Sequence, residues 1–308
     1  MPMANPSIKP ELLALQSLFS PLTLSKITLP LLEQQQIDLW LKRDDLLHPV
    51  VSGNKWRKLK YLLNDVLSIG ADTVISMGGA YSNHLHALAF VGQRLGLKTI
   101  GLIRSEPGLE LTPTLLDVQQ WGMELRYVSR SEYRLLRQYR DWQSLPGIKP
   151  GQYWIPEGGA QSLALQGVAE LAAEITIPYD LLCLPCGTAT TLAGLVNAVP
   201  SQVSVLGFAA LKNAGFLSDD VKAVLPEQRN NWQINLDYHF GGFAKTSAEL
   251  MAFIDSFEQQ TAIELDPVYT GKMMFAICDL IDKQQIKPGQ RIIALHTGGL
   301  QGKRGFIL

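Results

Sequence analysis

Residues 37–299 alternate repeatedly between short runs of strand character and longer runs whose apolar residues recur three and four apart. A chain satisfies that rhythm by winding helices over both faces of a parallel sheet, so the expected class is α/β with doubly wound parallel sheets. Strands are expected over 37–42, from Asp72, from Lys98, from Met123, over 152–156, over 180–185 and from Arg291. Helices are expected over 55–67, 82–96, 112–122, from Ser131 and over 162–174, with Ser52 or Asn54 as a cap and Gly70 as a stop. Residues 211–232 show no readable period. At 308 residues the chain has the length of roughly two domains.

Residues 181–211 contain no charged side chain and so imitate a membrane span. Pro185, Gly187, Gly194, Asn197 and Pro200 interrupt the stretch, whereas a span needs about 20 mostly apolar residues in one helix. The stretch reads instead as strand, loop, helix, strand. Lys plus Arg is 27 and Asp plus Glu is 28, a net charge of −1, too balanced for nucleic acid or an anionic membrane. A small ligand is the expected partner. Three cysteines, Cys183, Cys186 and Cys278, are too few and too odd in number for a disulfide framework. The first residues lack a basic segment followed by an apolar core, so no secretory signal is read and cytosol is the expected compartment.

In open α/β sheets ligands bind beyond the carboxyl ends of the strands. Four segments there pair small residues with hydroxyls, amides or an amine: SGNK at 52–55, GGAYSN at 78–83, PCGTATT at 185–191 and HTGG at 296–299. Gly187, Thr188, Ala189, Thr190 and Thr191 at a helix start offer backbone N–H groups, a favourable dipole and hydroxyls, a cup for an anion. The segment lacks the lysine of a nucleotide-binding P-loop and the spacing of a dinucleotide fingerprint, so a single phosphate fits better. The plainer reading is that the threonines only cap the helix. Lys55 lies in the first turn of its helix, where the dipole disfavours a cation and favours a neutral amine. A neutral amine with a phosphate cup is what imine chemistry on pyridoxal phosphate requires.

KRDDLL with SGNKWRKL, GGAYSNH, IPEGGA, CGTATTLAGL, DPVYTGK and HTGG, in that order, resemble the D-cysteine desulfhydrase and 1-aminocyclopropane-1-carboxylate deaminase family of pyridoxal-phosphate enzymes. The resemblance implies a two-lobed tryptophan synthase β-like fold, with a small lobe over 59–156 and a large cofactor-binding lobe from 1–58 and 157–308. It implies a homodimer that takes a small amino acid and needs no metal. Lys55 would be the Schiff-base lysine, Asn83 would bond the cofactor's phenolic oxygen, and Ser82 would lie beside the substrate carboxylate or assist proton transfer. Gly187, Thr188, Ala189, Thr190 and Thr191 would hold the phosphate. Relatives often have glycine where Ala189 and Thr190 stand, so φ must stay negative there. Tyr269 would face the substrate, with Thr270 and Thr297 near the pyridine nitrogen.

Desulfhydrase-like sequences share those two threonines, whereas deaminase-like ones place a glutamate after the tyrosine and tend to have leucine at position 297. A hydroxyl holds a pyridinium less firmly than a carboxylate, which suits elimination of a ready leaving group such as sulfide. The implied activity is α,β-elimination from a D-cysteine-like amino acid to an α-keto acid and ammonia. The alternatives are cyclopropane opening, racemisation and, from another class, non-catalytic binding of a phosphate ligand. In YHFGGFA, Phe243 stands where desulfhydrases have a second active-site tyrosine.

The remaining features read plainly. The pair Cys183 and Cys186 has no second pair to complete a metal site, and Cys183 falls in a buried strand. His84 and His86, two apart on a helix, face different ways and cannot chelate. Asp44 and Asp45 are expected to accept hydrogen bonds from backbone or lysine. Tyr133, Leu136, Tyr139 and Trp142 form a stripe expected on one side of a helix.

Overall fold

A computed structural model describes residues 7–21, 23–105, 110–225 and 229–306. Its strands are β1 (Leu24–Lys26), β2 (Asp38–Lys42), β3 (Thr73–Gly78), β4 (Lys98–Arg104), β5 (Met123–Val128), β6 (Gln152–Ile155), β7 (Leu181–Cys186), β8 (Ser204–Ala209), β9 (Trp232–Asn235) and β10 (Arg291–Leu295). They form two sheets, and the chain divides into two compact units, one around each.

The first unit comprises Lys55–Gly167 with the described residues up to Ser20. Its sheet has the order β5-β4-β3-β6, all parallel. Every residue of β3 is buried, as expected of a strand covered by helices on both faces. Ile75, Met77, Ile100, Tyr133 and Trp154 pack as one cluster. The helix Asn54–Ser68 ends where Gly70, at φ 71°, lets the chain turn back and Ala71 N–H reach the Val66 carbonyl. The aromatic stripe departs from its expected form because the helix Arg130–Leu136 stops early. Beyond it, Trp142 stacks on Tyr153 at 5.2 Å and the Tyr139 carbonyl accepts from Trp154 Nε1.

The second unit comprises Pro21–Asn54 and the chain from Val168 onward. Its sheet has the order β1-β2-β10-β7-β8-β9, with β1 antiparallel to β2 and the other pairs parallel. The uncharged stretch resolves into β7, the helix Ala189–Ala198 and β8. Among the described residues no helix is long and apolar enough to cross a membrane. The weak stretch at 211–232 holds the helix Phe216–Val224, and the sheet closes with β9. Two helices without a sequence reading, Ala248–Thr261 and Thr270–Asp282, pack into the core with Ile292 and Ala294 of β10.

The parallel order β2-β10-β7 is what builds a site. Three adjacent strands running the same way bring their carboxyl ends to one edge of the sheet, and the segments 43–54, 296–299 and 187–191 follow those ends.

Candidate active site

Just beyond β7, Gly187 is held under the Tyr269 ring. A Cβ at Gly187 would lie 2.8 Å from Tyr269 Cε1 and 3.0 Å from its hydroxyl oxygen, so only glycine permits the approach. The helix Ala189–Ala198 then begins with Thr188 at its N-cap position, yet the Thr188 side chain makes no cap hydrogen bond. The purely capping role for these threonines is therefore not what the structure adopts. Ala189 and Thr190 open the helix and neither has a positive φ, which meets the condition set by their departure from glycine. Thr190 and Thr191 are buried. An uncapped helix start of ten residues, with hydroxyls and a glycine turn, fits one phosphate.

The segment 52–54 locks onto this turn from the β2 side. Asn54 Nδ2 donates to Thr191 Oγ1 at 3.0 Å. Gly53, at φ 67°, runs so close to the HTGG turn that a Cβ would stand 1.8 Å from the Thr297 carbonyl oxygen. Ser52 Oγ accepts from Gly299 N–H at 3.4 Å. His296 Nε2 lies 2.7 Å from the Glu264 carbonyl, which can only accept, so Nδ1 is left to accept the Gly298 N–H at 3.3 Å. That imidazole fixes the turn carrying Thr297. Asp44 is held by Lys42 Nζ at 2.8 Å, the expected lysine partner, whereas Asp45 is held by an arginine, Arg43, through Nε and Nη2.

The DPVYT segment supplies the other wall. Asp266 accepts from the N–H groups of Val268, Tyr269 and Thr270 and from the Thr270 hydroxyl at 2.7 Å. The Thr270 hydroxyl in turn accepts from Asp266 N–H, so its proton is committed and any further bond it makes is as an acceptor. Lys272 is 2% exposed and donates to the carbonyls of His239 and Gly242 at 2.9 and 2.8 Å, pinning the loop before Phe243. Burial pushes the Lys272 amine down to about 8, against the pull of Asp266. The Phe243 ring meets Tyr269 edge to face, with centroids 6.0 Å apart. Asp266, Lys272 and Asn54 in this bonding role were not read from the sequence; an Asp-Pro pair just before a helix was the available signal for the first.

In the first unit, Lys55 is the second residue of the helix Asn54–Ser68 and is partly exposed among buried neighbours. Beyond β3, Ser82 caps the helix Asn83–Arg94, its Oγ accepting from Leu85 N–H at 3.2 Å. Asn83 follows as the first helical residue, half-buried, and His84 is buried beneath it. His84 Nε2 contacts Ser76 Oγ at 2.9 Å, while His86 Nε2 faces Asp117 at 3.1 Å. The two rings do serve different faces. Among the described residues no group of three or more His, Cys, Asp or Glu is placed to hold a metal. The three cysteines are free and buried.

The family described as "Pyridoxal-phosphate dependent enzyme" matches residues 20–298. The chain is 31% identical over 283 residues to a putative 1-aminocyclopropane-1-carboxylate deaminase of Pyrococcus horikoshii, covering 86% of this chain and 85% of that one. It is 29% identical over 286 residues to a D-cysteine desulfhydrase of Klebsiella pneumoniae, covering 85% and 87%. A crystal structure of a deaminase homologue superposes with a TM-score of 0.74 at 30% identity over 96% of this chain and 97% of that one. The chain belongs to the pyridoxal-phosphate-dependent enzyme family, on the tryptophan synthase β-like fold, and its cofactor is pyridoxal 5'-phosphate.

Proposed function

We propose that this enzyme removes the β-substituent from a small amino acid of the D-cysteine type, one amino acid and one water giving an α-keto acid, hydrogen sulfide and ammonia. The observation that carries the reading is the hydrogen bond from Asn54 to Thr191. It ties the residue immediately before Lys55 to the turn suited to a phosphate, so amine and phosphate site are linked through one peptide bond.

Bound pyridoxal phosphate supplies an electron-withdrawing ring that makes the substrate's Cα proton acidic. Gly187, Thr188, Ala189, Thr190 and Thr191 grip the phosphate through main-chain donors and hydroxyls. Lys55 would be the residue that holds the cofactor and, as a free amine, the base that takes the substrate's Cα proton. Asn83 would donate to the phenolic oxygen. Ser82, whose oxygen already caps its helix, still has its proton to give to the substrate carboxylate. Tyr269 faces the leaving sulfur. Thr297 and Thr270 would hold the cofactor's ring nitrogen, and hydroxyls there would favour loss of a thiol over opening of a cyclopropane.

The phosphate-gripping role falls to the second unit. The enzyme works in the cytoplasm as a homodimer; an odd number of free, buried cysteines supports the reducing compartment, and sedimentation at twice the chain mass tests the dimer.

The purified protein should be yellow, and hydrogen sulfide release should favour D- over L-cysteine, with 1-aminocyclopropane-1-carboxylate a poor substrate. Lys55→Ala should be colourless and lose activity by about a thousandfold or more. A yellow Lys55→Ala protein rejects the lysine assignment. A colourless wild type without keto acid product identifies a binding protein instead.

A further inference from the structure

Lys272 stands where an amine is costly. It is 2% exposed, and as the third residue of the helix Thr270–Asp282 it lies in a first turn whose dipole opposes a cation. A methionine of similar length would fill the space at less cost, so the amine has a use. Its Nζ donates to the carbonyls of His239 and Gly242, at 2.9 and 2.8 Å. Those bonds do not require charge, because the neutral amine still offers two donors for two acceptors.

The two carbonyls belong to a segment that does not hold itself easily. Phe240, Gly241, Gly242 and Ala244 all have positive φ, at 51°, 91°, 128° and 54°. For Phe240 and Ala244 that conformation is strained and persists only where the surroundings impose it. Two successive turns are closed there by main-chain bonds, Gly242 N–H to the His239 carbonyl and Lys245 N–H to the Gly242 carbonyl. Lys272 takes the second acceptor site of each of these carbonyls, so one side chain fastens both turns.

The fastened segment leads straight to the Tyr269 ring. Phe243 follows Gly242 and is 48% exposed, yet its ring meets Tyr269 edge to face with centroids 6.0 Å apart, a spacing at which aromatic pairs attract. Tyr269 occupies the N-cap position of the helix that carries Lys272, its N–H held by Asp266 and its ring edge against Gly187. The contacts close a circuit. Tyr269 connects to Lys272 along the helix, Lys272 to Gly242 by a hydrogen bond, Gly242 to Phe243 by a peptide bond, and Phe243 back to Tyr269 by ring contact.

We propose that Lys272 is a positioning residue for Tyr269: by clasping the turns at His239 and Gly242 it seats Phe243 against the Tyr269 ring and fixes the direction of the phenol. The inference rests on the reading that Tyr269 faces the substrate.

The test uses holoenzyme labelled with 3-fluorotyrosine, in which the Tyr269 fluorine signal is the one lost in Tyr269→Phe. Phe243→Leu removes the ring contact at an exposed site, and Lys272→Met removes the clasp while filling its space. Each should shift the Tyr269 signal, and the double variant should shift it by less than the sum of the two, since both act through one contact. In Lys272→Met the kcat for sulfide release from D-cysteine should fall about tenfold, a fraction of what an ångström of misplacement can cost, with KM within about twofold and the yellow colour kept. An unmoved Tyr269 signal in Lys272→Met, or shifts that simply add, overturns the proposal, as does a general shift of all the tyrosine signals in that variant. Should Lys272→Met not fold, Phe243→Leu decides, because an unmoved Tyr269 signal there breaks the circuit. A failure of the Tyr269 reading is distinct, since it shows as a wild-type rate of sulfide release in Tyr269→Phe.

Discussion

Two helices of this enzyme start in the same way and are finished differently. In the first unit β3 passes through Gly78 and Gly79 into the helix Asn83–Arg94, and the Ser82 hydroxyl occupies its first turn. In the second unit β7 passes through Gly187 into the helix Ala189–Ala198, and the side chain at its N-cap position, Thr188, makes no cap hydrogen bond. A capped start spends its donors on the fold and so holds the side chains that follow it, Asn83 and His84, in place. An uncapped start keeps its donors for an anion. One strand-to-helix turn thus serves two purposes, and a single side-chain bond decides which.

The largest test extends the contrast to a third helix start. Asp266 satisfies four donors at the beginning of the helix Thr270–Asp282, so Asp266→Ala should cost about 3 kcal/mol in denaturant unfolding. A loss no larger than that of an ordinary cap would show that side-chain capping matters less here than the contrast claims.

Next come the glycines before the two starts. Gly187→Ala drives a Cβ into the Tyr269 ring and should weaken cofactor binding about thirtyfold, the scale of a 2 kcal/mol steric penalty. Gly79→Ala meets nothing within 4 Å and should leave stability within about 0.5 kcal/mol. Cofactor titration and thermal melting check the pair.

Lys272 gives a pH test of the second unit's wall. Its folded pKa, about 8, lies below its ordinary value, so the unfolded chain binds the proton more tightly. Stability from this group must then rise with pH, from about pH 8 until the unfolded lysine also loses its proton. Wild type should gain on the order of 1–2 kcal/mol relative to Lys272→Met over that window. A constant difference between the two proteins would contradict it.

The smallest effect belongs to the capping residues themselves. Ser82→Ala should lose about 1 kcal/mol and Thr188→Ala less than about 0.5 kcal/mol. Equal losses would mean that the second helix start is capped after all.

Much of this was legible because the signals were local. Short apolar runs ending in glycine located β3, β7 and β10 and the turns after them, and Lys55 stood out by its place in a first turn. The helix Thr270–Asp282 was illegible because it is buried nearly all round, which erases the polar face that a helical period needs. Edge strand β9 has no fully buried residue and so no apolar run. The bonding roles of Asn54, Asp266 and Lys272 were not legible because they depend on partners distant in sequence or on backbone groups that carry no residue code.

Thiols open to solution exchange with oxidised sulfur species and react with electrophiles. Cys183 and Cys278 are buried, with thiols pushed well above their ordinary range, the latter to about 12. Held as buried thiols, they give such species little to exchange with, and the scaffold is spared that wear.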